Sequence, residues 1–284
     1  MNIADTLYDK PVSDLDLSRY VRVDPTQSVA ETIAAMDAAG RSVAFAMEGA
    51  QLSGVFTQRD VLMKVIGNSG ICHTPLAEVM TPSPVTIKAS DSVAEGMAVM
   101  TEQWVRSVPV LGPDQAVVGN FSFYTVMHLV SELLAKKAAR NESELSAQHG
   151  LMFVDLTGLQ TTPAVTVAPD DTVEATVHQM KARARGSVMV VDGRHHVVGM
   201  LSEFDLQTKV ACRRSDLDQI EVAAVMETDP VTLSVRSPVA EAVTTMADHE
   251  ISHVGLLGES GRLVGMASFR EVADYFDSSL AVLG

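Results

Sequence analysis

The sequence predicts an α+β fold made of four copies of one strand-helix-strand-strand-helix unit. Three observations lead there. A short motif occurs four times: Gly54-Val-Phe-Thr57-Gln-Arg-Asp60, Gly119-Asn-Phe-Ser122-Phe-Tyr-Thr125, Gly199-Met-Leu-Ser202-Glu-Phe-Asp205 and Gly265-Met-Ala-Ser268-Phe-Arg-Glu271. Its glycines lie 65, 80 and 66 residues apart. A second marker keeps step with it: Ser28-Val-Ala-Glu31 and Ser92-Val-Ala-Glu95 are identical, and Thr172-Val-Glu-Ala175 and Pro238-Val-Ala-Glu241 stand at the matching places. Third, a β-branched run precedes each of these markers. Repetition at near-fixed spacing sets the architecture before any single residue is interpreted. The longer middle interval groups the repeats into two pairs, joined by about 15 extra residues.

The first strand of each unit is the β-branched run: Val21 to Val23, Val85 to Ile87, Val165 to Val167 and Val231 to Leu233. An amphipathic helix follows, with Val29, Ile33 and Met36 on one face in the first repeat and Val93, Met97 and Met100 in the second. Ser28 and Ser92 read as N-caps, and Glu31 and Glu95 complete capping boxes. An apolar second strand comes next: Val43 to Met47, Val108 to Leu111, Val188 to Val191 and Val254 to Leu257. Polar turns such as Gly49-Ala-Gln51, Asp192-Gly-Arg-His195 and Gly258-Glu-Ser-Gly261 lead to a third strand, which ends in the glycine motif. A second helix follows each motif. Methionines at helical core spacing, among them Met36, Met97, Met100, Met180 and Met246, read as core filling.

One unit of about 60 residues buries little core alone. Pairing two gives a domain of ordinary size, about 125 residues. The first pair is placed at 1–130, with repeats at about 12–68 and 75–130, and the second at 151–284, with repeats at about 155–212 and 220–277. Residues 131–150 are rich in Ala, Glu and Lys, lack proline, and read as a helical linker; a partner-docking helix is the alternative.

A net charge of −15 argues against broad nucleic-acid binding, which needs basic surface. No apolar run approaches the roughly 18 residues of a membrane span, and the first residues lack the charged and apolar regions of a signal peptide. The expected location is the cytoplasm. Cys72 and Cys212, the only cysteines, fall in different halves, so no disulfide framework is expected. His195 and His196 lie in a turn, with no second ligand pair at metal-binding spacing.

Alone, the Gly-x-x-Ser/Thr-x-x-acid motif could be only a tight turn followed by a capping box. Within its repeated frame it resembles the cystathionine-β-synthase (CBS) domain, and the likeness covers nearly the whole chain. Val79-Met-Thr-Pro82 and Thr162-Pro163 at repeat starts match that family, and the fourth repeat opens with the related Val225-Met-Glu-Thr-Asp-Pro230. Two CBS repeats form a Bateman module, so the chain resembles two such modules in tandem.

The resemblance implies that the motif's acid holds the ribose of an adenosine ligand. An ionised carboxylate has two acceptor oxygens, and a ribose diol offers two adjacent donors. The Ser or Thr hydroxyl and the free N–H groups at the helix start can take ribose or phosphate. Asp60 with Thr57 and Asp205 with Ser202 are intact. Thr125 replaces the acid in the second repeat, and Glu271 is one methylene longer in the fourth. One good adenosine site per module is therefore expected. The resemblance places phosphate partners at Arg41 and Arg106 in the first module and at Arg185 and His253 in the second. Arg59 matches a family variant of the motif. It places adenine against backbone near Val23 and Ala164.

No catalytic constellation is present: no nucleophile elbow, no Walker loop, no His-Glu-x-x-His, and nothing that would orient His73 beside Cys72. The expectation is a non-catalytic regulatory sensor for AMP, ADP, ATP or S-adenosylmethionine, with no other cofactor, acting on an unidentified protein target. The alternative is an interaction scaffold with vestigial clefts. Family modules pair into a flat disc, within one chain or between chains; a homodimer is expected.

Overall fold

A helix lies between the first and second strands of each unit, so those strands pair parallel, while the second and third, joined by a tight turn, pair antiparallel. The computed structural model describes residues 3–139, 154–159 and 163–281. Its first sheet runs in the order β1 (Val21–Val23), β2 (Val43–Glu48), β3 (Gln51–Thr57), β4 (Thr81–Pro82). The second is β5 (Ile87–Lys88), β6 (Ser107–Leu111), β7 (Val117–Ser122). The third contains β8 (Thr166–Val167), β9 (Ser187–Val191), β10 (Val197–Ser202) and β11 (Glu227–Thr228), and the fourth β12 (Thr232–Ser234), β13 (His253–Leu257) and β14 (Leu263–Ser268). β4 and β11 belong by sequence to the lead-in of the next unit, yet they complete the sheet of the preceding one.

The first helices are Val29–Ala39, Val93–Glu102, Val173–Ala182 and Val239–Asp248. Ser28 and Ser92 make both bonds of a capping box with Glu31 and Glu95. Thr172 makes only the forward bond, because alanine stands at its third position, and Pro238 has no side-chain acceptor to offer. The second helices differ from expectation. Phe123–Ala139 and Phe269–Ala281 are long. In the first and third repeats a single turn, Gln58–Asp60 or Glu203–Asp205, widens at once into a π-helical turn, Val61–Val65 or Leu206–Val210. Ile66 N–H and Ala211 N–H close these turns on the carbonyls of Val61 and Leu206, and the backbone then leaves the helix.

β2 is buried on both sides because each side meets a different layer. Ala44 and Ala46 face the helices, while Val43, Phe45 and Met47 pack with Val117 and Leu111 of the second sheet and with Tyr20, which leads into β1. Sheets therefore pack within a sequential pair. Helices pack across pairs. One core joins Ile33 and Met36 of the first repeat to Val177 and Met180 of the third. Another joins Phe121 and Met127 of the second to Val243 and Met246 of the fourth. The four repeats close into a ring within a single chain, so the helical faces that could pair two chains meet internally.

Contrary to expectation, Cys72 and Cys212 are disulfide-bonded, with Cα atoms 5.7 Å apart. Spacing gave no hint because the two cysteines occupy non-equivalent places: Cys72 lies in the 3-10 turn Ser69–His73, Cys212 two residues after the end of a π turn. The first–third seam brings them together. The same seam holds Arg213 on Asp37 at 2.6 Å, Gln207 on Asp37 at 2.6 Å, and Lys181 on the Ile66 carbonyl at 2.8 Å. The helix from Phe123 runs to Ala139, into the segment expected to be a linker; positions 140–150 of that expectation, like Thr162, lie outside the described residues.

Candidate ligand-binding site

The motif glycines have ordinary negative φ, so a left-handed turn is not their role. They permit close approach. A Cβ on Gly54 or Gly199 would overlap the side chain of Met80 or Met226 in the following lead-in, and one on Gly119 would lie 2.8 Å from the Leu17 carbonyl. Asn120 N–H donates to that carbonyl at 2.9 Å, so the N-terminal segment covers the second motif.

The motif then turns into helix. Thr57 N–H and Oγ1 donate to Asp60 Oδ2 at 2.9 and 2.7 Å. Ser202 N–H and Oγ donate to Asp205 Oδ2 at 2.9 and 2.5 Å. The other oxygen of each aspartate meets a lysine one turn on: Lys64 Nζ at 2.6 Å and Lys209 Nζ at 2.8 Å. Both lysines also donate to lead-in carbonyls, of Val79 and of Val225. Each aspartate thus sits in a capping box and is tied through its lysine to the neighbouring unit. Thr125 instead shares a 3.0 Å hydroxyl contact with Ser122 and donates to the Asp16 carbonyl. Glu271 keeps the cap, accepting from Ser268 N–H at 2.8 Å.

A cleft of about 480 Å³ opens where all four repeats meet. Arg41 comes from the first, Arg106 and Tyr124 from the second, Ser202 and Asp205 from the third, and His253 from the fourth. These positions converge because the residue before each second strand accepts the first N–H of the motif turn: Gln58 on Ser42, Phe123 on Arg106, Glu203 on Gly186 and Phe269 on Ser252. Glu203, only 2% exposed, lies at the centre. It takes Arg106 through a short ion pair and Arg59 Nε at 2.9 Å. Burial alone would raise its pKa; the two guanidinium charges outweigh that and hold the carboxyl below its ordinary range. His253 is pushed down to about 4 by burial, with Arg106 adding to the effect, so its ring is neutral near pH 7.

Of the expected site residues, the cleft gathers Ser202, Asp205, Arg41, Arg106 and His253. Thr57 and Asp60 form their own capped turn, and Arg59 reaches the centre by way of Glu203. Arg185 is half-buried and near enough to Arg270 to repel it. Val23 is a buried core residue of β1, and Ala164 is half-buried before β8. Arg106, a candidate phosphate partner, and Arg59, the match to a family variant of the motif, are both engaged by Glu203. Sequence reading missed Glu203, Lys64 and Lys209. A signal for the lysines exists, since Asp-x-x-x-Lys recurs at Asp60/Lys64 and Asp205/Lys209 and at neither other motif. His195 is exposed, and no metal-ligating cluster occurs among the described residues. Nor is any described helix long and apolar enough to cross a membrane.

The CBS-domain profile matches residues 76–132, 156–211 and 222–278, more than half of the chain. A Methanocaldococcus jannaschii protein, proposed as an archaeal homolog of g-AMPK, superimposes with a TM-score of 0.73 at 12% identity, covering 97% of this chain and 100% of its own. A CBS domain protein from Pyrobaculum aerophilum, complexed with AMP, shares 24% identity over 45% of this chain and 99% of its own, with a TM-score of 0.41. An Arabidopsis thaliana CBS domain-containing protein is 21% identical over 91% of this chain. This chain spans about half the length of that plant protein and of an uncharacterized Methanopyrus kandleri protein, 52% and 55%.

Proposed function

The chain belongs to the CBS-domain family, and on that premise we propose that it is a non-catalytic regulatory sensor of adenosine compounds. In this reading the first repeat is a fourth CBS domain, residues 1–130 and 151–284 are two Bateman modules, and Asp205 with Ser202 is the principal site. One observation supports it above the others: a carboxylate seated in a helix capping box and paired with Lys209 lines a cleft of about 480 Å³ shared by all four repeats. A carboxylate offers about four lone-pair sites, and three donors occupy Asp205. A ribose diol needs two, so binding exchanges Lys209 for ribose. That exchange releases the lysine's hold on the Val225 carbonyl and alters the third–fourth connection. Ligand shifts the ring only by its differential affinity for the two arrangements. The response passes to a protein target, in the cytoplasm, from one chain or a homodimer.

The test is thermal unfolding against AMP, ADP, ATP and S-adenosylmethionine, with GTP as the control. A ligand at 100 times its Kd stabilises by about 2.7 kcal/mol. Loss of that shift in Asp205→Asn supports the reading; no shift with any adenosine compound at millimolar concentration refutes it. A second reading, an interaction scaffold, draws on the sealed second motif and on aspartates already engaged by cap and lysine. It predicts that Asp205→Asn lowers stability with no ligand effect to lose.

A further inference from the structure

The central carboxylate is peculiar to one repeat. The four equivalent positions after the motif hydroxyl are Gln58, Phe123, Glu203 and Phe269. Only the third is acidic, and only its partner position before the second strand is glycine, where the others have Ser42, Arg106 and Ser252. The glycine makes room: a Cβ on Gly186 would lie 3.2 Å from the Glu203 carboxyl and 3.3 Å from the His253 ring. In that space Glu203 meets two cations from two other repeats, Arg59 and Arg106. Its Oε1 is sealed from solvent and meets Arg59 Nε out of hydrogen-bond alignment, an acceptor with charge contact only. A cation pair of this kind, half-buried and convergent on a buried carboxylate, is an anion site filled by the protein itself. The same cleft has Asp205 two residues away. Of its four cations, Arg19 is engaged by Glu250, Lys209 by Asp205 and Arg106 by Glu203, while Arg41 lies within electrostatic reach of Asp16 and Glu250.

We propose that Glu203 is a built-in counter-anion that makes the Asp205 cleft select adenosine compounds with an uncharged or cationic 5′ group over those carrying 5′ phosphate. The proposal rests on the adenosine reading of that cleft. A phosphate reaching the centre would compete with a carboxylate already tethered to both guanidiniums, and would bring a second anion beside it. An uncharged thioether or a sulfonium would not.

The experiment compares full-length wild type with Glu203→Gln by calorimetric titration of 5′-methylthioadenosine, S-adenosylmethionine and AMP, and by thermal unfolding with inorganic tripolyphosphate. Expected for wild type is at least tenfold tighter binding of methylthioadenosine than of AMP, and no stabilisation by tripolyphosphate. Expected for Glu203→Gln is an AMP affinity at least tenfold higher, methylthioadenosine within threefold of wild type, and new stabilisation by tripolyphosphate. An unchanged AMP-to-methylthioadenosine ratio in the variant, or tighter AMP binding by wild type, overturns the proposal. If no adenosine compound binds either protein, the sensor reading fails, and tripolyphosphate alone decides: a gain in the variant supports a self-filled anion site, no gain overturns it. Should Glu203→Gln not fold, the charge-balanced Glu203→Gln/Arg106→Gln protein replaces it. There the discrimination against AMP should shrink to within threefold, and its persistence overturns the proposal.

Discussion

Removing the Cys72–Cys212 bond should cost this protein a large share of its stability. The bond closes a loop of 140 residues that contains the whole second repeat, the connection after it and nearly all of the third repeat. In the chain-entropy model, cross-linking a loop of that length removes unfolded-state freedom worth about 5 kcal/mol, an upper figure, since native disulfides usually contribute about 2–4 kcal/mol. Total stabilities are themselves only about 5–15 kcal/mol. The perturbation is Cys72→Ala with Cys212→Ala, which leaves no lone thiol. Urea unfolding followed by circular dichroism should show the midpoint falling by an amount equal to 2–5 kcal/mol, and the slope steepening as the freed chain expands. Reductant should move wild type to the variant's curve and leave the variant unmoved. Thiol titration in denaturant without reductant should find no free thiol in the oxidised protein. Two titratable thiols, or coincident unfolding curves with and without reductant, would refute the reasoning. The bond also bears on location: cytosolic reductants keep thiols reduced, whereas oxidising compartments preserve such bonds, so alkylation-trapped protein on a non-reducing gel tests the cytoplasmic expectation directly.

Acid should weaken the ring before the carboxylates titrate. The folded state keeps His253 neutral down to about pH 4, while in the unfolded chain it titrates near 6.5. Between those values the unfolded state binds the extra proton, so stability is full above about pH 6.5 and falls as pH drops toward 4, by about 1–3 kcal/mol for a partly solvated ring. His253→Asn should flatten urea midpoints across that window; an unchanged slope contradicts the assignment. Gly119→Ala places a methyl 2.8 Å from the Leu17 carbonyl and should destabilise by about 1–3 kcal/mol, with faster proteolysis of the N-terminal segment. Asp60→Ala removes a capping box and the Lys64 ion pair together, and a loss of about 1–2 kcal/mol in urea titration is expected. A loss under 0.5 kcal/mol would mean the turn holds without its cap.

What the sequence made legible was local. Ser28 with Glu31, Thr57 with Asp60 and Ser202 with Asp205 each form within one turn, so a four-residue pattern specifies them. The second strands were equally readable, since a run buried on both faces has few other fates. The short second helices of the first and third repeats were not, because their π turns end where Ile66 and Ala211 pack into a core shared with another repeat. The disulfide and the Glu203 cluster were hidden for the same reason: each is made by the ring closing on itself. Arg59, Arg106 and Glu203 are separated by 47 and 97 residues and share no periodicity.

Ring closure also decides how occupancy could be felt. Were each module a separate body, a ligand at Asp205 would bias only the third and fourth repeats. In this chain the same cleft is walled by Arg41 of the first and Arg106 of the second. The Asp60 turn is joined to it through Arg59, the residue directly before Asp60, which ends on Glu203. A change that moves Glu203 must therefore act on Arg59 and Arg106 together, because a buried carboxylate loses the two charges that offset its desolvation when it leaves them. The first and third motifs, with no direct contact between Asp60 and Asp205 required, are coupled through one carboxylate. Glu203→Gln should then weaken any influence of Asp60→Asn on ligand binding at Asp205. A double-mutant cycle measures that coupling, and full additivity of the two substitutions would show that the two turns act independently.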